Sequence, residues 1–579
     1  MAEILAFCCW RVYYLYMPSI VGKKQKGKVY YYLVESARVN GKPRIVSQRY
    51  LGSAEEIAQR LSESGPGEPD RTQHLSFGDV AAVWGVLERL GVAGIVDEVV
   101  GSRRSDAALS VGTYIALAVL NRVVAPCSKL AFSDWWSTTA GDRLLHRAPG
   151  AALDHRRFWD AMDAITDEQL IEVERRIVAR LIEVFEVDVS GLVLDMTNFA
   201  TYIDSANVRA PIAQRGKAKQ KRHDLRLVGL GLVVSTDGGI PLVSHAYAGN
   251  RHDSTQFPDV ISELVTRFEP IAPGGAGLTV VFDAGQDSKD NLALIDSGPL
   301  HFVGSLPPSD HLDLMAVPKS RYKNVDPQRF VGVSAFETTK TVFAQPRRIV
   351  VTHSQNFHDE QAASFEQTLA KARRQLRELT ARLARGNGRK SRDTVEAEIA
   401  GIVRPRWLSR VISVNLTGTT PSELRVTWRT KQAAHAALAD EVFGKRIIFT
   451  DRDEWSVADV VGAYRSQSDV EADFRQLKDR LVVSFSPMFH WSEQKIRVHV
   501  SYCVLALIVA RLMARETQRA KIPMSVRQLL SHLSRIEETV LLYQGERGRP
   551  RARRMLTEMD PTQVRLYNLF GLDAFAPTR

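Results

Sequence analysis

The sequence predicts an α/β protein in which a helical region precedes a β-rich core and a long insertion interrupts that core. Three observations carry the prediction. Apolar residues recur at three- and four-residue spacing from Phe77 to about Phe185, as in amphipathic helices. At about Val187 the pattern changes to five short β-rich runs, and helical patterns separate the later ones. From Pro307 to Gly444 strands surround a charged helix (SFEQTLAKARRQLRELTARLAR), which is typical of a solvated helical hairpin.

The composition indicates a globular chain with an anionic partner. The 579 residues are 44% hydrophobic and 25% charged, which excludes a largely disordered or fibrous chain. Lys and Arg number 77 against 66 Asp and Glu, so the net charge is +11. This balance favours nucleic acid or an acidic membrane surface as a partner, with a merely basic surface as the alternative. Four cysteines without a C-x-x-C pair exclude a disulfide scaffold and argue against a structural zinc site.

Neither the longest apolar run nor the N-terminal segment indicates a membrane protein. The longest apolar run, Ser501 to Met513, is shorter than the roughly 18–20 residues that span a bilayer, and it predicts a core helix. The N-terminus has no basic lead and no small-residue cleavage site, so a cytosolic protein is expected. The first 16 residues differ in texture from the rest, and Met17 is an alternative start.

A basic hairpin is predicted near the N-terminus. Two β-rich runs from Lys28 to Leu51 flank Asn40-Gly41, the dipeptide that best supplies the positive φ angles of a tight hairpin turn. The runs combine Lys and Arg with tyrosines, a mixture that suits contact with nucleic acid. An ordinary surface hairpin remains the alternative.

Two aspartates stand where strands are expected to end. Asp195 follows the apolar run GLVL, and Asp283 follows LTVVF and precedes Ala-Gly. Acids at the carboxyl ends of buried strands emerge at the rim where α/β sheets place their chemistry. Each pattern by itself is weak, because an aspartate at a strand end is more often a helix N-cap or a turn former.

A charged helix supplies a third acid. In YRSQSDVEADFRQLK the spacing places five polar residues on one helix face. They are Tyr464, Gln467, Glu471, Arg475 and Lys478. The alternative is a solvated face with an internal Glu471–Arg475 ion pair.

Together, the two aspartates and the helical glutamate resemble the DDE transposases of bacterial insertion sequences, in the branch with a Tyr-Arg-Glu-Lys signature. Tyr464, Glu471 and Lys478 match that signature, and Gln467 stands at the arginine position, with Arg465 or Arg475 as substitutes. The resemblance extends from Met17 to about Leu512 and includes the G-N-x-x-D-S turn of AGNRHDSTQF and the segment FHWSEQKIRVHVSYCVLAL.

The resemblance implies an RNase H-like catalytic core, a mixed five-stranded sheet with flanking helices, interrupted by a β-rich insertion. It implies cleavage at transposon ends and strand transfer with two Mg²⁺ (or Mn²⁺) ions held by Asp195, Asp283 and Glu471. Carboxylates are the ligands that these hard ions prefer. Asp283 and Glu471 are 188 residues apart (471 − 283), far more than a direct crossing needs, so an inserted subdomain is expected.

Basic residues are expected to hold the DNA. Seven lie between Arg209 and Arg226, with a flexible solvated loop as the alternative, and RGRPRARR near the C-terminus is a second candidate. The predicted DNA contacts are Tyr464, Gln467, Arg475, Lys478, Arg215, Lys217, Lys219, Lys221, Arg222, Arg497 and His499. The expected partners are double-stranded DNA, as terminal inverted repeats and target, and a second copy of the chain in a homodimer on paired ends. The expected location is the bacterial cytoplasm, at the nucleoid during the reaction.

The chain is expected to divide into seven segments. They are 1–16, a possible non-native extension; 17–72, the basic β-hairpin region and linker; 73–186, a helical DNA-binding domain; 187–306, the first part of the core; 307–444, the insertion with a helical hairpin; 445–515, the second part of the core with the catalytic helix; and 516–579, a helical C-terminal region with a basic tail.

Two other functions remain open from the sequence. The same carboxylate core serves RNase H-like DNA nucleases that cut without strand transfer. A catalytically silent DNA-binding regulator derived from a transposase is the non-enzymatic alternative.

Overall fold

The computed structural model describes residues 17–39, 42–63, 68–101, 108–145, 150–217, 224–268, 277–385, 390–543 and 551–577. Four sequence predictions lie outside these ranges. They concern the segment 1–16, the Asn40-Gly41 turn, the linker around residues 64–67, and the basic residues Lys219, Lys221 and Arg222.

The chain forms two compact units. The smaller comprises Met1–Leu75, Glu537–Thr557 and Pro577–Arg579, and the larger comprises Ser76–Ile536 and Glu558–Ala576. This division differs from the predicted segments, because the helical region and the predicted core lie together in the larger unit.

The smaller unit contains two three-stranded sheets. The first has the order β1-β2-β3, and the two predicted hairpin strands are its antiparallel pair β2 and β3. The second has the order β17-β16-β4. Its β16–β17 pair corrects the prediction of a wholly helical C-terminal region, and it places Arg551 to Arg554 in a strand. The elements are β1 (Met17–Gln25), β2 (Lys28–Val39), β3 (Lys42–Ser53), α1 (Ala54–Glu63), β4 (Arg71–Ser76), β16 (Glu537–Tyr543) and β17 (Arg551–Leu556).

The predicted helical region begins the larger unit. Gly91 ends the first of its helices with a φ of 67°, a conformation that costs a residue without Cβ little. Thr166 and Gln169 form a capping box at the start of the last one. The helices are α2 (Gly78–Leu90), α3 (Val92–Val100), α4 (Val111–Val124), α5 (Phe132–Trp136), α6 (His155–Asp163) and α7 (Asp167–Phe185).

A long apolar helix, α17 (Glu493–Arg519), joins this region to the rest of the unit. It contacts α2, α4, α6 and α7 on one side and β7 and α16 on another. By length and composition α17 is able to cross a membrane, but 83% of its apolar window is buried inside the protein. It is therefore a core helix, as predicted, although longer than the apolar run indicated. The helices of the predicted helical domain therefore pack on a helix that follows the predicted core in the chain.

The five predicted β-rich runs form a mixed sheet in the order β7-β6-β5-β8-β9. β5 pairs antiparallel with β6 and parallel with β8, and β8 pairs parallel with β9. β6 is buried along nearly its whole length, which explains its continuous apolar sequence. The strands and the helices near them are β5 (Gly191–Thr201), β6 (Arg226–Ser235), β7 (Pro241–Ala248), α8 (Asp253–Phe268), β8 (Thr279–Val281), α9 (Lys289–Ser297) and β9 (His301–Leu306).

The first strands of the insertion extend this sheet. The full order is β10-β11-β12-β15-β9-β8-β5-β6-β7, so the first part of the insertion belongs to the main sheet and not to a separate subdomain. The predicted helical hairpin follows as α11 and α12, which contact each other. The elements are α10 (Leu312–Met315), β10 (Lys323–Asn324), β11 (Val333–Val342), β12 (Gln345–Ser354), α11 (Gln355–Ala384), α12 (Arg392–Val403), α13 (Leu408–Val411), β13 (Ile412–Thr417), β14 (Arg425–Thr430), α14 (Gln432–Val442) and β15 (Lys445–Thr450).

The remaining helices are α15 (Val457–Arg465), α16 (Gln467–Leu477), α18 (Val526–Ser534) and α19 (Pro561–Leu569). α16 contacts β5, β6 and α17, so it lies against the centre of the sheet. This position brings the predicted catalytic helix to the strand that carries Asp195.

Candidate active site

The register of the sheet places Asp195 and Asp283 at equivalent positions of adjacent strands. β5 and β8 run parallel with Val193 opposite Val281. Each aspartate lies two residues beyond that pair, and neighbouring strands are about 4.8 Å apart. The sequence predicted Asp195 at the end of a strand. In the structure it lies within β5, which continues to Thr201 in its pairing with β6. Instead β8 ends at Val281, and this end exposes the neighbouring Asp195.

Asp283 is exposed and is held by the next strand. It precedes the short 3-10 turn Ala284–Gln286. Its Oδ1 accepts a hydrogen bond of 2.8 Å from the Ser305 hydroxyl on β9, and that hydroxyl accepts one of 3.2 Å from the Ala284 N–H. The serine therefore fixes both the carboxylate and the turn that begins at it.

A further acid, Asp287, lies behind Asp283. Both of its carboxylate oxygens are buried, and among the described residues neither has a hydrogen bond partner. Burial, and secondarily the charge of Asp283, raise the pKa of Asp287 to about 8. A buried carboxylate beside an exposed one makes this turn attractive to a cation. The sequence prediction did not include Asp287, although its place in DAGQD, four residues after Asp283, was visible.

Asp195 is half-buried, and its Oδ1 accepts a 2.7 Å hydrogen bond from the Met196 N–H. Tyr247 on β7 lies nearby and donates its hydroxyl to Asp253 at 3.0 Å. Burial, then Asp253 and then Asp195, raise the pKa of Tyr247 above its usual range. Tyr247 thus remains a neutral donor on the β7 side of Asp195.

The predicted catalytic helix is two helices, α15 and α16, which meet at Ser466. Tyr464, Gln467 and Glu471 line one cavity of about 330 Å³. Arg475 and Lys478 are not among the residues that line it. Ser466 interrupts the predicted single helix, and Lys478 follows the last residue of α16.

Lys478 is bound to the strand that carries Asp195. Its ammonium donates to the Thr197 hydroxyl at 2.9 Å and lies 5.5 Å from the centre of the Phe199 ring. Alternate residues of a strand share a face, so Asp195, Thr197 and Phe199 all face α16. Glu471 is exposed on the same helix.

A buried ion pair holds α16 in place. Asp473 is fully buried and binds Arg511 of α17, and Arg511 also donates to the Asp469 carbonyl at 3.2 Å. Burial raises the pKa of Asp473 to about 7, although Arg511 acts in the opposite direction. The sequence analysis missed this residue, whose position between the apolar Val470 and Phe474 was the available signal.

Two arginines that the sequence analysis left open or missed line the same cavity as Glu471. Arg446 of β15 donates to the Tyr464 hydroxyl at 3.4 Å and lies over the Phe357 ring at 4.4 Å. Burial, and then the charge of Arg446, lower the pKa of Arg465. Two guanidinium groups therefore flank Gln467, which occupies the arginine position of the signature.

The predicted metal site is tested by its donor groups. Among the described residues, no three His, Cys, Asp or Glu side chains are grouped closely enough to hold a metal ion. The aspartates of β5 and β8 are neighbours, and the donors are the hard oxygens that Mg²⁺ prefers. The approach of Glu471 to both of them remains a prediction.

The other predicted DNA contacts have different outcomes. Arg215 and Lys217 are exposed. His499 is wrong as a DNA contact, because its ring is fully buried and hydrogen bonded to the Phe485 carbonyl at 2.7 Å. Arg497 is turned into the protein, where it pairs with Glu493 at 2.7 Å and also with Asp167. Lys219, Lys221 and Arg222 lie outside the described residues.

Comparison with known proteins identifies a domain. Residues 200–484 match the family model described as the transposase DDE domain. No curated protein matches the chain significantly. Among solved structures, the cryo-EM structure of the piggyBac transposase synaptic complex with hairpin DNA matches at 8% identity with a TM-score of 0.35, covering 80% of this chain and 82% of that chain. A TM-score of this size carries no argument. Residues 200–484, which include Asp283 and Glu471 and begin just after Asp195, are thus similar to the DDE domain of transposases, and this segment supports a DDE transposase.

Proposed function

We propose that the protein is a DNA transposase that cleaves DNA at transposon ends and transfers the cut strands into target DNA. The observation that carries the proposal is the register of β5 and β8, which sets Asp195 and Asp283 at equivalent positions, together with the contact between β5 and α16, the helix that bears Glu471. The similarity of residues 200–484 to the transposase DDE domain names the chemistry for which such an arrangement is suited.

The order of the five strands supports an RNase H-like core. β5 lies at the centre, with an antiparallel pair on one side and two parallel strands on the other. Tyr464, Glu471 and Lys478 further support the bacterial insertion-sequence branch with the Tyr-Arg-Glu-Lys signature. Arg446 and Arg465 stand where they offer the positive charge that Gln467 does not.

Asp195, Asp283 and Glu471 would hold two divalent ions, and a cation bound there would favour the ionised form of the buried Asp287 behind them. When bound, such ions activate the attacking hydroxyl and stabilise the leaving oxygen in phosphoryl transfer. The donor set fits them, since it consists of carboxylates and contains neither thiols nor imidazoles.

The chain's own cations orient the DNA around this site. Lys478 is held near Asp195 by Thr197, so its ammonium is placed to take a phosphate next to the cut. Arg446 and Arg465 lie on the Glu471 side, and each guanidinium offers several donors to phosphate oxygens. The DNA backbone would therefore be held at both ends of α16, by Arg446 and Arg465 near its start and by Lys478 at its end.

An end-cleavage assay tests the proposal. The substrate is a labelled duplex that carries the DNA flanking the coding region, incubated with the full chain and Mg²⁺. Asp195→Asn, Asp283→Asn and Glu471→Gln should each abolish cleavage and strand joining while leaving duplex binding largely intact. Asp290→Asn, a change of an exposed aspartate on α9, is the matched control and should retain activity.

The same assay separates the alternatives. A nuclease would cut the duplex without ever joining the ends to a target, and a regulator would bind without cutting. Full activity of the Asp283→Asn protein would contradict the assigned site, because the metal ligands would then lie elsewhere.

A further inference from the structure

A cavity of about 510 Å³ lies within the larger unit, apart from the one that Glu471 lines. Its walls come from residues 122–130, from α6 and from residues 487–492 and 495, just before and within the start of α17. Its volume is within the range of about 300–1,000 Å³ that is typical of small-molecule sites. No function described above uses it.

A buried cation forms part of the wall. Lys129 is 6% exposed, and among the described residues its ammonium has no hydrogen bond partner. The Nζ atom lies 4.4 Å from the centre of the Tyr502 ring and 5.3 Å from that of Phe158. Burial, and secondarily the charge of Arg122, lower the pKa of Lys129 to about 7. An anion beside this amine would favour its charged form, and the attraction between the two charges is stronger away from water than at a surface lysine.

Other cations line the same cavity. Arg122 is 2% exposed and donates to the Ser486 carbonyl at 2.9 Å and the Cys127 carbonyl at 3.0 Å. Arg209 and Lys495 are nearer the opening, and Lys495 shares its charge with Asp163 at 2.9 Å. None of the described residues that line the cavity is acidic. The cavity is therefore electropositive.

His490 reports this field. Its ring is 9% exposed and its Nε2 lies 3.1 Å from Nδ1 of His499. Burial, and secondarily the charges of Lys129, Arg122 and Lys495, lower the pKa of His490 to about 3. Most of this effect is burial, and the contribution of the three cations is consistent with a positive potential at the cavity wall.

The mouth of the cavity is aromatic. Trp491 is 64% exposed, Phe489 60% and Trp159 41%, and Leu130 beside them is 72% exposed. Large apolar side chains gathered at an exposed site usually mark a binding surface. Flat aromatic rings above a cationic floor suit a ligand that is itself flat at one end and anionic at the other.

We infer that this cavity binds an unpaired nucleotide of a DNA strand, with the base stacked on Trp491, the most exposed of the three rings, and the phosphate directed to Lys129 and Arg122. The inference rests on the proposed function only in taking DNA as the substrate. A peptide with an acidic side chain would match the cations but not three aromatic rings, and a paired base has no free face to stack.

A row of contacts connects the cavity to the candidate active site. Along β5, Thr197 binds Lys478, and Phe199 stacks on Phe485 with ring centres 4.1 Å apart. Just beyond the strand, the ring of Tyr202 lies 6.4 Å from that of Phe489 at the cavity mouth. At about 3.3 Å per residue, seven residues from Asp195 to Tyr202 span on the order of 20 Å. A DNA strand that leaves the candidate active site along β5 would therefore reach the cavity within a few nucleotides.

Binding of two labelled duplexes by the full chain tests the inference. One duplex is blunt, and the other has the same sequence with a short single-stranded thymidine tail. The tail should strengthen binding by about tenfold, the effect of stacking one or two bases and holding their phosphate. Lys129→Met and Trp491→Ala should each remove that advantage without weakening blunt-duplex binding. The first replaces a buried ammonium with an apolar group of similar length, and the second truncates an exposed ring, so both variants should fold.

Two variants serve as matched controls. Lys289→Met on α9 and Trp428→Ala on β14 change residues outside the cavity and should keep the advantage of the tail. Equal binding of the two duplexes by the unmodified protein would overturn the inference but leave the proposed function standing. Loss of the advantage in Lys129→Met but not in Trp491→Ala would replace the nucleotide with a simple anion site. Failure to bind either duplex would overturn the proposed function as well.

Discussion

At the scale of single residues, buried histidines make folding sensitive to pH. The pKa of His490 is about 3 in the folded protein, against about 6.5 for an unfolded chain, because the ring is buried beside three cations. The pKa of His499 is lowered as well, first by burial and then by Arg122. A lowered pKa means that the unfolded state takes up protons first. The stabilisation is complete above about pH 6.5 and is lost as the pH falls toward 3.

The first prediction follows from this sign. The melting temperature should fall between pH 7 and pH 5, and the fall should be smaller in His490→Gln, which has one fewer group to protonate on unfolding. His252→Gln, a change of an exposed histidine, should retain the full pH dependence. Thermal melts of the three proteins at both pH values provide the measurement, and identical pH dependence in all three would contradict the assignment.

A second prediction concerns Arg446, which the sequence analysis did not select. Under the proposed function, Arg446→Ala should slow DNA cleavage by about 10–100-fold, the cost of one charged hydrogen bond to phosphate. Arg446→Lys should recover only part of the rate, because an ammonium lacks the planar fork of the guanidinium. Single-turnover cleavage measures both variants, with Arg429→Ala on β14 as the control. Unchanged cleavage by Arg446→Ala would assign the residue to packing against Phe357 alone.

At the scale of secondary structure elements, a buried ion pair between Asp473 and Arg511 joins α16 to α17. Arg511→Met leaves Asp473 buried without its partner, a change that typically costs about 3–5 kcal/mol. Without Arg511, the pKa of Asp473 rises further above its unfolded value. The variant should therefore be least stable at high pH, because a carboxyl with a raised pKa loses stabilisation as the pH rises through that value.

Melting curves at pH 6 and pH 8 measure this third prediction, and hydrogen exchange of residues 467–477 locates the effect. Arg519→Met, near the end of the same α17, changes a half-exposed arginine and should behave like the unmodified protein. A variant whose α16 amides remain as protected as before would show that the apolar residues of α16 suffice to hold it.

The strand β3 carries the fourth prediction, on DNA binding by the N-terminal sheet. β3 is exposed at nearly every residue, and the rings of Tyr50 and Tyr32 are in contact, 5.3 Å apart. Arg49→Ala in the full chain should weaken end binding and reduce the salt dependence of log K by about 0.9, the value for one phosphate contact. Arg321→Ala, at an exposed site in the insertion, should leave the slope unchanged. An unchanged slope in Arg49→Ala would place the DNA elsewhere.

At the scale of the whole molecule, the packing of α17 changes how end recognition is best tested. A fragment of residues 17–185 would lack the helix on which α2, α4, α6 and α7 pack, so it is not expected to fold by itself. Recognition of transposon ends by the helical region therefore remains a prediction to be tested by surface substitutions in the intact chain.

The fifth prediction concerns assembly. Joining two ends to one target requires two active sites, and each chain has one set of Asp195, Asp283 and Glu471. We expect a monomer or weak dimer without DNA and at least a dimer on paired ends. The apolar stripe of α11 is buried within the chain from Phe365 to Leu383, so it is not free to form a dimer interface. Mass measurement with and without end duplexes provides the test, and a single chain that completes cleavage and joining would contradict it.

The sequence by itself determined the elements and the main acids of this protein. Periodicity identified the helical region, the five strands β5 to β9 and the hairpin of α11 and α12, because apolar spacing depends only on local geometry. The spacing of acids and the signature selected Asp195, Asp283 and Glu471. Prediction from sequence patterns failed at Ser466, where the helical pattern continues although the helix is interrupted. It also failed at β16 and β17, two strands that follow a helix.

Only the tertiary structure decided which side chains face each other. The sequence predicted His499 and Arg497 as DNA contacts. The packing of α17 buries the His499 ring, and Arg497 forms an ion pair with Glu493. Burial is the main cause of the shifted pKa values of Asp287 and Lys129, and no local pattern encodes how far packing excludes water from a side chain. The alignment of Asp195 with Asp283 depends on the register of β5 against β8, which is a long-range choice made by the buried sheet as a whole.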